Sequence, residues 1–194
     1  MYYRKSGGGV TLSGGESLCQ PDFGSALLRG LHAHGIHTAM ESMGCAEFST
    51  IERFLEHLDL YLMDIKHMEP DKHKAFTGRS NELMLENAKK IATSGYDTKL
   101  IIRVPLIPGY TDSQDDIRQI GLFLRDELQL KIERCELLPY NKLAASKYGN
   151  KTGWSDYTIG TYRLPELEPQ SKDELAALCN LLSSFGVNAY AESL

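Results

Sequence analysis

A parallel α/β fold is predicted for this chain, and three observations carry the prediction. Short apolar, β-branched runs alternate with segments whose apolar residues recur at helical spacing. The run Asp59-Leu60-Tyr61-Leu62-Met63-Asp64-Ile65 is nearly all apolar between its two aspartates, as a strand buried on both faces requires. Glycine, proline and charged residues gather just past the strand ends, where sheets of this class bind ligands. A barrel-like sheet and a doubly wound open sheet both satisfy this alternation.

The elements follow in order. Val10-Thr11-Leu12-Ser13 reads as the first strand. Pro21 to His34 reads as a helix, with Phe23, Ala26, Leu27, Leu28 and Leu31 at helical spacing and Gly35 as its stop. Ile36 to Met40 is the next strand. Ser49-Thr50-Ile51-Glu52 has capping-box spacing, so Ser49 is expected to cap a helix that runs to about His57. The strand 59–65 comes next, then a short helix from Pro70 to Phe76 and a longer one from Asn81 to Thr93. Lys99 to Val104 is a strand closed by Pro105. Ser113 caps a helix that reaches Glu127, and Ile132 to Leu138 is a strand ending at Pro139. Residues 141–168 read as irregular. Ser171 to Phe185 is the last helix, stopped by Gly186, and Val187 to Tyr190 the last strand. No repeat or linker interrupts this order, so residues 1–194 are read as one domain.

Hydrophobic residues make up 42% of the chain and charged residues 24%, which supports a folded core. The net charge of −5 argues against nucleic acid or an anionic membrane as partner. No apolar run approaches the roughly 20 residues of a membrane span. No apolar signal core follows Met1-Tyr2-Tyr3-Arg4-Lys5, so a cytoplasmic location is expected. Four cysteines stand at 19, 45, 135 and 179, and the nearest two are 26 residues apart. That spacing excludes the local Cys-x-x-Cys motifs of metal and redox sites. The four are read as mostly buried free thiols.

The strand ends carry the chemistry. Ser13-Gly14-Gly15-Glu16 follows the first strand, Glu41 and Ser42 the second, Asp64 and Lys66 the third. Arg103 lies in the fourth, with Pro108-Gly109-Tyr110 in its loop, and Pro139-Tyr140-Asn141 follows the fifth. A parallel sheet collects these on one rim, bringing Glu16, Glu41, Asp64, Lys66 and Arg103 together as a site for a zwitterionic or multiply polar ligand. Plainer readings exist. Gly14-Gly15 also serves a tight turn, and it matches neither a Walker loop nor Gly-x-Gly-x-x-Gly. Asp64 and Lys66 at i and i+2 also make a structural ion pair. His32, His34 and His37 have the composition of a metal cluster, but they lie at the amino end of the second strand, away from the rim. Trp154, Tyr157 and Tyr162 are read as packing of the irregular segment.

The segment from Tyr3 to Glu16, Tyr-Arg-Lys-Ser-Gly-Gly-Gly-Val-Thr-Leu-Ser-Gly-Gly-Glu, resembles the Gly-Gly-Glu region of glycyl-radical-enzyme activating enzymes such as that of pyruvate formate-lyase. These belong to the radical S-adenosylmethionine (radical SAM) superfamily. The likeness continues through His37-Thr38-Ala39-Met40-Glu41-Ser42, Leu62-Met63-Asp64-Ile65-Lys66-His67-Met68, Arg103-Val104-Pro105-Leu106-Ile107-Pro108-Gly109-Tyr110 and Leu137-Leu138-Pro139-Tyr140, and is weakest after Lys151. It implies a partial (β/α) barrel that binds S-adenosylmethionine at its open rim. It places Gly14, Gly15 and Glu16 on the methionyl amino group, Asp64 and Lys66 at the methionyl end, Glu41 and Ser42 near the ligand, and Arg103 as a further polar wall. It also implies a 4Fe-4S cluster in the full-length parent, a flavodoxin- or ferredoxin-type electron donor, and a glycyl radical enzyme as the partner that loses a backbone hydrogen.

Two departures qualify the likeness. The superfamily's Cys-x-x-x-Cys-x-x-Cys motif precedes the Gly-Gly-Glu loop, yet none of the 13 residues before Gly14 is a cysteine. The expectation is therefore an N-terminally truncated barrel, inactive by itself, with no catalytic and no metal-ligating residue of its own. Asn141 stands where the family commonly has histidine after Pro-Tyr or Pro-Phe; it donates and accepts but does not titrate near neutrality. Two alternatives remain open. One is a barrel lyase using Lys66 as a Schiff-base nucleophile, which Asp64 opposes by stabilising the ammonium. The other is a non-catalytic module that docks a partner through an exposed sheet edge.

Overall fold

The computed structural model of the protein describes residues 7–141 and 167–191. Six strands form one sheet: β1 (Gly9–Leu12), β2 (His37–Ser42), β3 (Leu60–Asp64), β4 (Lys99–Pro105), β5 (Arg134–Leu138) and β6 (Ala189–Ala191). They lie side by side in sequence order and every neighbouring pair is parallel. A doubly wound sheet reverses its order at a switch point. This sheet advances in one direction throughout, as a barrel wall does, which decides between the two architectures the alternation allowed. Right-handed crossovers then place the connecting helices on one face.

Those helices are α1 (Pro21–Ala33), α2 (Phe48–Leu55), α3 (Pro70–Thr77), α4 (Glu82–Thr93), α5 (Gln114–Leu122) and α6 (Lys172–Ser183). Met40, Tyr61, Met63, Ile102, Val104, Cys135 and Leu137 share one strand phase and are fully buried. They join Leu28, Phe54, Ala88, Ile117 and Leu182 of the helices in one apolar cluster. The opposite phase holds Glu41, Asp64, Arg103, Arg134 and Glu136, all only partly buried. Burial of β3 on both faces is therefore incomplete. Tyr61 and Met63 are buried, while Leu60 and Leu62 on the concave side are half-buried, because no described helix covers that side of the open sheet.

The helix ends follow sequence chemistry with one correction. Pro21 opens α1, and Gly35 (φ +65°) takes the left-handed turn after it. Gly24 lets α1 approach α2: a Cβ there would lie 2.6 Å from the Phe54 ring. Ser113 caps α5 by accepting from the Asp116 N–H at 3.1 Å, and Ser171 and Glu174 form a reciprocal cap on α6. From Phe123 to Glu127 the α5 helix continues as a wider π turn. Ser49, however, is not a cap. Helix α2 begins at Phe48 with Glu47 at the cap position, since the Thr50 and Ile51 N–H groups already bond the Glu47 carbonyl. Asn87 helps to set this start by donating to the Gly44 and Ala46 carbonyls, 2.8 Å each.

The cysteines are free, but only Cys135 is buried; Cys45 and Cys179 are half-buried and Cys19 is exposed at the rim. The expectation of mostly buried thiols thus holds for one of four, because two of them border the strand-end loops instead of the core. Trp154, Tyr157 and Tyr162 lie outside the described residues. Among the described residues no helix is long and apolar enough to cross a membrane.

Candidate functional site

The C-terminal ends of β1 to β4 meet in a chain of charged contacts. Ser13, just past β1, donates to Glu41 Oε2 of β2 at 2.7 Å. Arg103 of β4 reaches Glu41 Oε1 through Nη1 at 2.9 Å, and Asp64 Oδ1 of β3 through Nε at 3.0 Å and Nη2 at 2.9 Å. Lys66 Nζ closes the row 3.3 Å from Asp64 Oδ2. The strand register makes this possible, since Asp64 and Arg103 are direct cross-strand partners and Glu41 shares their face. Burial works against the Arg103 guanidinium, yet the Asp64 and Glu41 carboxylates outweigh it and hold its pKa above the ordinary value. Among the described residues Lys66 keeps two of its three ammonium donors beyond the Asp64 contact.

The Gly14-Gly15 loop is tied down separately. Gly14 has φ +120°, a backbone conformation that a side chain disfavours. Glu16 Oε1 accepts from the Leu18 N–H at 3.1 Å and from Ser42 Oγ at 2.6 Å, and Oε2 accepts from the Met43 N–H at 3.1 Å. Ser42 Oγ in turn accepts from the Gly44 N–H at 3.0 Å. Glu16 is thus a brace between the β1 and β2 loops, with lone-pair capacity left on Oε2 for an incoming ammonium. Ser42 is buried and positions Glu16. Asn141 is exposed, one residue beyond the buried Tyr140. The Tyr140 N–H donates to Gln170 Oε1, and Gln170 Nε2 to Asp112, which joins the exit of β5 to the loop after β4.

The structure therefore brings Glu41, Asp64, Lys66 and Arg103 into one network. It sets Gly14, Gly15, Glu16 and Ser42 beside them as a second, linked group. Three contributions were missed in the sequence. Ser13 completes the network at β1. Arg134 and Glu136, paired at 2.7 Å, extend the charged concave face across β5; the charged–apolar–charged alternation Arg134-Cys135-Glu136 was the available signal. His67 and Asp116 form a further dyad at 3.2 Å.

His67, Glu69 and Asp116 have the composition of a metal site, but the hydrogen bonding opposes it. The Glu69 N–H donates to His67 Nδ1 at 3.0 Å, so the neutral ring carries its proton on Nε2 and donates it to Asp116. No lone pair of the His67 ring remains for a cation. The dyad instead pins the loop after Lys66 to the start of α5. His34 Nδ1 bonds its own helix at the Gly30 carbonyl, and His32 lies 6.0 Å from the His57 ring. Among the described residues the cluster of His32, His34 and His37 makes no ligand set.

Residues 1–120 match the model of the Radical SAM superfamily. The isethionate sulfite-lyase activating enzyme of Oleidesulfovibrio alaskensis is 42% identical over 148 residues, 76% of this chain and 47% of that protein. The choline trimethylamine-lyase activating enzyme of the same organism is 40% identical over 159 residues, 81% of this chain and 50% of that one. A crystal structure of a domain of pyruvate-formate lyase-activating enzyme from Bacteroides vulgatus superposes with a TM-score of 0.77 at 26% identity, covering 96% of this chain and 99% of that one. The chain spans about half the length of the curated relatives it matches.

Proposed function

Because the chain belongs to the radical SAM superfamily, we propose that its rim is the S-adenosylmethionine site of an activase for a glycyl radical enzyme. The observation that carries this reading is the Glu41–Arg103–Asp64–Lys66 network beside the braced Gly14-Gly15-Glu16 loop. Ammonium and carboxylate of a methionyl group need an acceptor and a cation a few ångströms apart, and this rim offers both. The free lone pair of Glu16 Oε2 receives the ammonium. Lys66, with its uncommitted N–H groups, receives the carboxylate. Arg103 and Glu41 hold Asp64 in place, and Asp64 aims Lys66. The Lys66–Asp64 contact holds the Lys66 nitrogen against a carboxylate, where a Schiff-base nucleophile needs it free. When bound, S-adenosylmethionine supplies the radical chemistry of the superfamily.

The superfamily's 4Fe-4S cluster does not fit the residues of this chain. Cys135 is buried under the sheet beside Cys179, and only Cys19 and Cys45 approach the rim; among the described residues three thiolates do not converge. We infer that these residues bind S-adenosylmethionine without cleaving it. The relatives are activating enzymes of different lyases, isethionate sulfite-lyase and choline trimethylamine-lyase. A partner such as pyruvate formate-lyase and a flavodoxin- or ferredoxin-type donor belong to this proposal, supported by the sequence likeness and the shared fold. Four unpaired cysteines accord with a reducing cytoplasm.

Isothermal calorimetry with S-adenosylmethionine tests the reading. Saturable binding is expected, weakened about tenfold by Lys66→Met through loss of a charge-assisted hydrogen bond. Absence of binding, or equal affinity in the variant, would remove the proposal.

A further inference from the structure

The charges of the rim do not favour an anion. Glu41, Asp64, Lys66 and Arg103 pair with one another and sum to zero. Glu16, braced by neutral donors, then leaves the site one charge negative. Such a site attracts an ammonium or a sulfonium. It holds a carboxylate poorly, because Asp64, 3.3 Å away, already offsets the Lys66 charge. A zwitterionic head therefore needs a second cation that no acid of the rim has claimed.

Arg79 meets that description. A cavity of about 340 Å³ adjoins the rim, and Glu16, Lys66 and Arg79 all line it. Arg79 follows Gly78, whose left-handed turn (φ +83°) ends α3. Its backbone is fixed there. The buried His73 donates from Nδ1 to the Arg79 carbonyl at 2.7 Å, and the Arg79 N–H donates to Thr77 Oγ1 at 3.4 Å. The residue is exposed, and its guanidinium makes no hydrogen bond, ion pair or ring contact among the described residues. An anchored Cα at the cavity's border thus carries a long stem and five uncommitted N–H donors. Cys19, Met43, Cys45 and Met84 complete the wall, a polarizable apolar surface suited to a methylene arm.

We propose that Arg79 is the second cation: its guanidinium takes the methionyl carboxylate together with Lys66 while Glu16 takes the ammonium, so the amino-acid end of the ligand lies in this cavity. This rests on the S-adenosylmethionine reading of the rim. A planar fork fits a carboxylate through two parallel N–H···O bonds, where Lys66 offers a point charge. Arg79 then selects a ligand that carries the carboxylate over the same ligand without it.

Decarboxylated S-adenosylmethionine is the probe, since it keeps the adenosine, the sulfonium and the ammonium and lacks only the carboxylate. Isothermal calorimetry compares the two ligands on the unaltered protein and on Arg79→Met. The unaltered protein should prefer S-adenosylmethionine. Arg79→Met should weaken that ligand about 3- to 10-fold, the worth of a charge-assisted pair open to solvent. It should not weaken the decarboxylated ligand, whose two positive charges gain nothing from a guanidinium. Equal weakening of both ligands would make Arg79 a structural residue and overturn the proposal. An unchanged affinity for S-adenosylmethionine, or no preference in the unaltered protein, would overturn it too. Lys66→Met separates this proposal from the reading beneath it. If Lys66→Met weakens S-adenosylmethionine and Arg79→Met does not, the rim reading stands and the Arg79 assignment falls. If S-adenosylmethionine does not bind the unaltered protein, both fall.

Discussion

Replacing Arg103 with methionine tests whether charge holds the rim together. Methionine keeps most of the apolar stem and deletes the guanidinium with its three contacts to Glu41 and Asp64. The Arg103 side chain is 16% exposed, that of Asp64 24% and that of Glu41 36%. Breaking a fully buried pair costs about 3–5 kcal/mol, and solvent at these partly exposed carboxylates lowers that to about 2 kcal/mol at pH 7. For a chain of this size that is a fall of about 4–8 °C in melting temperature. The variant leaves two carboxylates facing one another with Lys66 as their remaining cation. Urea unfolding of both proteins at pH 7 measures it. A loss below about 0.5 kcal/mol would show that the network contributes geometry without stability.

Three further outcomes follow from single contacts. Gly24→Ala should destabilise the protein because its methyl meets the buried Phe54 ring at 2.6 Å, whereas Gly30→Ala in the same helix meets nothing within 4 Å and should gain up to about 1 kcal/mol; thermal melts of the pair separate packing from propensity. Asp59→Ala removes the acceptor of both the Thr38 N–H (2.7 Å) and hydroxyl (3.0 Å) and should cost about 1–3 kcal/mol in urea unfolding. His73 has a folded pKa below its ordinary value, so the unfolded chain takes up its proton first. Its contribution to stability is complete above about pH 6.5 and is lost as the pH falls below that; urea midpoints at pH 7.5 and 5.5 should fall less steeply in His73→Asn.

Much of the site was legible because a parallel sheet delivers strand-end residues to one rim whatever the details of packing. Gly14, Glu16, Glu41, Asp64, Lys66 and Arg103 were found in that way, and the succession of strands and helices along the chain, the Ser113 cap and the Gly35 stop were local signals. Ser49 misled because its spacing satisfied a capping box while Asn87, distant in sequence, held the preceding loop in a shape that starts the helix two residues earlier. The half-buried side of β3 was hidden for a related reason: an apolar residue reads the same whether it faces a covering helix or an open concave surface.

The sequence by itself determined the alternation of elements, the rim composition and the likeness to the activating enzymes, since each depends on residue type and spacing along the chain. Tertiary structure alone decided three things. It set a one-way strand order, which makes a barrel wall. It divided Glu16 and Ser42, which brace the loop, from Arg103 and its two carboxylates, which span three strands. It also buried the Nε2 nitrogen of His73 without a hydrogen-bond partner among the described residues. Each of these depends on which distant groups satisfy one another's hydrogen bonds, and that pairing exists only once the chain is folded.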